Sequence, residues 1–218
     1  MHEKTDGLRI FRWGVLILAA FYWLELFRRI EPETFGWQFR YLTIWALSLS
    51  VVSAAMMLRH MRGGSPPYVL AATTAIFNAL VLLLYWRLYF TDPALVNGSG
   101  EIVAWREYYL HGAGPVLQII DALLLFGAFR RPLATVAATL AGIVLYVGWI
   151  ELLVGPRNAE PAGLVTSGLP YPFLNDLALG GRFEFYATTT VTGLVFIALG
   201  TIVTWARGRM LRGRAAPV

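Results

Sequence analysis

A hydroxyl, an imidazole and a few carboxylates interrupt otherwise apolar stretches of this chain, and they decide which chemistry is open to it. His111 lies in Trp105-Arg-Glu-Tyr-Tyr-Leu-His-Gly-Ala-Gly-Pro-Val-Leu-Gln-Ile-Ile-Asp121 and, of the three histidines, is the one inside an apolar segment near its polar rim. An ionisable group in lipid is costly and reads first as functional. Imidazole titrates in the physiological range and can take a proton from a hydroxyl. Thr43, in Phe39-Arg-Tyr-Leu-Thr43, supplies such a hydroxyl, a weak nucleophile until a base deprotonates it, and Thr73, Thr74, Thr135, Thr139 and Thr188 to Thr190 are equally available. Glu107, one helical turn before His111, can hold its tautomer, and Glu151 is a second candidate. Tyr108, Tyr109 and Gln118 are candidate donors to a developing oxyanion, and Arg40 or Arg87 can fork onto a substrate carboxylate. Asp121 lies ten residues past His111, ~15 Å deeper along a helix, and is expected to be protonated or bonded to Asn78. A bland reading stands beside each of these. A membrane threonine often bonds the carbonyl one turn back, here that of Phe39, and arginines at helix ends snorkel to the headgroups.

The elements that must position these groups are membrane helices. The 218 residues are 57% hydrophobic and 14% charged, with a mean hydropathy of +0.59, more apolar surface than a soluble domain of this length needs. Apolar segments at 10–27, 40–58, 68–90, 107–129, 133–154 and 183–206 predict an all-α bundle of six transmembrane helices forming a single transmembrane domain. The first is followed at once by Trp23, Glu25, Arg28 and Arg29, without a small-residue cleavage site, so it is expected to be a retained helix rather than a secretory signal. Cysteine is absent, which excludes disulfides, zinc-thiolate sites and cysteine nucleophiles. Three histidines argue against a multi-haem bundle, and no cofactor or metal is expected. The +5 net charge comes from arginines dispersed over many short loops, which suits a bilayer partner and not nucleic acid.

The arginines also set an orientation. Eleven basic residues flank the termini and the even-to-odd loops against seven on the other side, so both termini are expected in the cytoplasm. Thr43 then lies ~5 Å and His111 ~6 Å below the outer interface, with Glu25, Arg87, Glu151 and Glu184 at similar depth. Polar groups that lipid rejects would converge there on a hydrated cavity.

Phe39-Arg-Tyr-Leu-Thr43, the His111 segment with Pro115 and Asp121, and Tyr171-Pro-Phe-Leu174 occur in an order that resembles the androgen-induced and androgen-dependent TFPI-regulating membrane proteins. The resemblance runs from the second segment to the sixth and suggests a bacterial relative, in an inner membrane. It implies a threonine hydrolase of fatty acid esters of hydroxy fatty acids, with Thr43 as nucleophile, His111 as base and Asp121 as the acid after it. Animal members carry a second histidine where this chain has Tyr108. The partner is then a lipid or fatty-acyl substrate.

A transporter or lipid-binding protein, with His111, Arg87 and Asp121 along a pathway, is the competing reading. A pathway requires polar groups through both leaflets, whereas a hydrolase requires a pocket closed on one side. A rhomboid-type protease fits less well, because Asn97-Gly-Ser-Gly100 lacks the first glycine of that motif and falls in a loop.

Overall fold

Among the described residues, six helices are long and apolar enough to cross a bilayer, so the chain is an integral membrane protein. The computed structural model describes residues 2–28, 34–97, 103–158 and 168–213, and all regular structure among them is helical. Residues 29–33, 98–102 (with Gly98–Gly100 of the Asn97-Gly-Ser-Gly100 segment), 159–167 and 214–218 lie outside the described residues.

Helix α1 spans His2–Phe27, α2 Leu42–Met61, α3 Tyr68–Thr91, α4 Ala104–Phe126, α5 Pro132–Arg157 and α6 Leu179–Gly213. The outer two are longer than hydropathy predicts, because backbone hydrogen bonding continues into polar residues that apolar periodicity does not see. The fourth segment instead stops three residues short of the expected Phe129. Gly127 adopts a left-handed φ of 69°, a conformation glycine takes at little cost, and it turns the chain before Arg130 and Arg131. The second starts later than expected, since Gly36 (φ 87°) and a short 3-10 turn, Trp37–Arg40, precede Tyr41 at its N-cap.

The centre of the bundle is α3, which packs against α2, α4, α5 and α6, while α1 covers α2 and α4. Its small residues Ala71, Ala72, Thr73, Thr74 and Ala75 are all buried, which lets neighbouring backbones approach closely. Arg12 of α1 forks onto Asp121 of α4 with Nε–Oδ2 at 3.0 Å and Nη2–Oδ1 at 2.9 Å. Asp121 is therefore paired with Arg12 and not bonded to Asn78. Its charge is matched by a cation brought from 109 residues away. Asn78 gives its amide hydrogens to Ser50 Oγ and the Thr74 carbonyl.

Candidate active site

Proline chemistry shapes the helix that carries His111. A regular α-helix would have residue 115 donate its N–H to the His111 carbonyl, but Pro115 has none. The turn over Tyr109–Ala113 widens to π-helical spacing, with Gly114 N–H reaching back to the Tyr109 carbonyl. Gly114 fits because a Cβ there would sit 2.9 Å from that same carbonyl oxygen. The freed His111 carbonyl accepts the indole N–H of Trp86 at 2.6 Å. A second π turn, Trp149–Val154, precedes Pro156 in the same way. Such turns re-aim side chains and occur often at functional sites.

The imidazole is 9% exposed and lies flat on the Tyr85 ring, centroids 3.6 Å apart at an interplanar angle of 1°. On one side His111 Nδ1 is 2.9 Å from Glu107 Oε2, whose carboxylate also takes a hydrogen bond from Tyr85 and has Arg106 at 3.8 Å. The N–H direction lies off the line to the oxygen, so neither atom completes an aligned hydrogen bond. The carboxylate steers the ring by charge, favouring a proton on Nδ1. That leaves the lone pair of Nε2 facing Thr43, whose Oγ1 lies 3.2 Å away.

Thr43 is free for this contact because the competing acceptor is occupied. The Phe39 carbonyl, one turn back, receives the indole N–H groups of Trp45 at 2.8 Å and Trp149 at 3.0 Å. Elsewhere the back-bond does form: Thr135, Thr190 and Thr201 each donate to the carbonyl four residues before. Thr43 is the second residue of α2, where N–H groups lack helical partners and the helix dipole is positive. The N–H of Leu42 is taken by the Tyr171 hydroxyl at 2.9 Å, which is also within hydrogen-bonding reach of Thr43 and Tyr146. Burial pushes the Tyr171 phenol up to about 12. It stays neutral and keeps a proton to donate.

The pair opens into a cavity of about 550 Å³. Its rim holds Gln38, Arg40 and Arg106, and its depth is lined by Leu80, Val81, Leu84 and Phe77. The lining comes from the beginnings of α2, α4 and α6, from α3 between Phe77 and Leu88, from α5 between Ile143 and Ile150, from the turn before α2 and Pro170–Leu174, and from Leu26 and Val96. None comes from α2 beyond Ile44, α4 beyond His111 or α6 beyond Thr189, so the cavity ends partway through the bundle.

Of the residues singled out by sequence, Thr43, His111, Glu107 and Arg40 meet at this cavity. Five others do not. Arg87 is exposed on the opposite face of α3, because it is out of phase with Leu84, Tyr85 and Leu88. Glu151 is held by Arg182 at 3.0 Å and the Tyr186 hydroxyl at 2.7 Å. Tyr108 points outward, 60% exposed. Gln118 and Asn78 line a separate niche beneath Thr43 and Ser50, of about 10 Å³, room for one water. Tyr85, Tyr146 and Tyr171 were missed, since tyrosine in such a chain reads first as interfacial. The signal available for Tyr171 was its place in the Tyr-Pro-Phe-Leu segment.

Residues 8–204 match the family model described as FAR-17a/AIG1-like protein. No curated protein and no solved structure matches the chain.

Proposed function

We propose that this chain, which belongs to the FAR-17a/AIG1-like protein family, is an intramembrane threonine hydrolase of lipid esters. The observation that carries the reading is the 3.2 Å contact between Thr43 Oγ1 and His111 Nε2 at the wall of a cavity whose depth is aliphatic. Substrates of the class of fatty acid esters of hydroxy fatty acids fit its proportions. The acyl chain lies among Leu80, Val81 and Leu84, and a free carboxylate reaches the rim beside Arg40.

The reaction runs in two halves. Thr43 Oγ1 attacks the ester carbonyl carbon while His111 Nε2 takes its proton. The oxyanion accepts the Tyr171 O–H and faces the positive end of α2. Collapse breaks the ester C–O bond, and His111 returns the proton to the leaving alkoxide. Water then attacks the acyl-threonine carbonyl and gives a proton to Nε2. The Thr43 oxygen leaves with that proton, and a free fatty acid departs. Glu107 keeps Nδ1 protonated and stabilises the transient imidazolium.

We place the site toward the outer leaflet of a bacterial inner membrane, with both termini in the cytoplasm. The direct test is release of free fatty acid from such an ester by purified protein in mixed micelles. Turnover that disappears in Thr43→Ala supports the assignment. Equal turnover in wild type and Thr43→Ala refutes it.

A further inference from the structure

Helix α3 divides the bundle into two lipid-sized spaces. One face lines the cavity with Leu80, Val81, Leu84, Tyr85 and Leu88. The other carries Ala75, Ala79, Leu82, Leu83 and Trp86, and with α4 and α6 it forms an outward-facing groove of about 590 Å³. The groove wall is carbon from end to end, and Arg87 is the one charged residue among those that line it. Its α3 residues run from Ala75 to Phe90, ~22 Å along the helix axis. One end is closed by Phe129 and Val203, while Trp86, Arg87 and Phe90 form the other. Arg87 is exposed one turn before the end of α3, and among the described residues nothing pairs with its guanidinium.

We propose that this groove is a binding site for one anionic phospholipid, its acyl chain along α3 and its phosphate on Arg87. The physical case is polarity at each end. An apolar trough facing hydrocarbon is filled by an acyl chain, and a single unpaired cation at the headgroup end selects a negative head over a zwitterionic one. The seated chain lies against Trp86, whose indole donates to the His111 carbonyl at 2.6 Å. The lipid therefore braces the wall that holds the imidazole. The site stands whether or not the chain is a hydrolase.

The test uses the full chain in detergent with equal dioleoyl phosphatidylglycerol and dioleoyl phosphatidylcholine, the lipid retained per protein being counted by native mass spectrometry. Wild type is expected to keep the glycerol lipid by about fivefold or more over the choline lipid. Arg87→Gln should erase that preference while a lipid is still retained, and Ala79→Trp, which fills the trough, should lose the lipid altogether. Ala79→Trp is scored only if its unfolding temperature matches wild type, and Leu83→Trp serves if it does not. Equal retention of both lipids by wild type overturns the proposal. So does an undiminished preference in Arg87→Gln, or a second copy of the chain over the groove in place of lipid.

Discussion

The imidazole of His111 is asked to be a base at one nitrogen and a steered cation at the other, and each role leaves a kinetic trace. Glu107→Gln keeps the size of the side chain and removes its charge. It should lower kcat by about 10- to 100-fold, the equivalent of one charged contact of about 1.5–3 kcal/mol, with little change in KM. The rate of wild type should fall as pH drops through the histidine range, because a protonated Nε2 cannot accept the Thr43 proton. A pH profile without that acidic limb would remove His111 from the role of base. Tyr171→Phe removes an oxyanion donor and should cost about 10²–10³ in kcat, while the Leu42 N–H loses its acceptor. Unchanged kcat in Tyr171→Phe would assign the oxyanion to other donors. His111 and Glu107 were readable because polar groups in apolar spans stand out and a turn of helix relates them, whereas Thr43, one of several span threonines, was picked out by the resemblance of Phe39-Arg-Tyr-Leu-Thr43. The freeing of Thr43 by two indoles on the Phe39 carbonyl was not readable. It depends on where Trp149 of another helix comes to rest.

Helices bring the site together through local breaks in their own regularity. Apolar runs located the six spans, but no hydropathy pattern marks the π turn at Tyr109–Ala113. Pro115 was visible in the sequence, and the lost N–H it implies is the physical origin of that turn. The Arg12–Asp121 pair was equally hidden: its partners are 109 residues apart and share no periodicity. Asp121, the acid that the resemblance implies after His111, ties α1 to α4 in its pair with Arg12, with side chains 3% and 7% exposed. Removing one buried partner strands the other, so Arg12→Ala should destabilise the bundle by about 3–5 kcal/mol. The joint Arg12→Met, Asp121→Leu replacement should recover much of that loss. Chemical unfolding in detergent measures both. A neutral Arg12→Ala would mean that the pair contributes no net stability.

For the whole molecule, the arrangement is asymmetric: a cavity at the end where α2, α4 and α6 begin, and packed helices at the other. The orientation proposed from arginine placement has the cavity end outside the cell. The natural absence of cysteine makes this simple to check with single substitutions. Trp37→Cys, at an exposed residue by the cavity end, should react with a membrane-impermeant maleimide on intact cells. Arg62→Cys, after α2, should react only once the cells are permeabilised. The reverse pattern would turn the molecule over and place ester cleavage on the cytoplasmic leaflet.

The central claim is that Thr43 is the nucleophile and His111 its base, and labelling with a fluorophosphonate probe tests it most directly. Wild type should be labelled, with the phosphonyl adduct on the peptide containing Thr43, and both Thr43→Ala and His111→Ala should lose the label. Labelling of Thr43→Ala at the wild-type level, or an adduct mapped to another residue, would contradict the account.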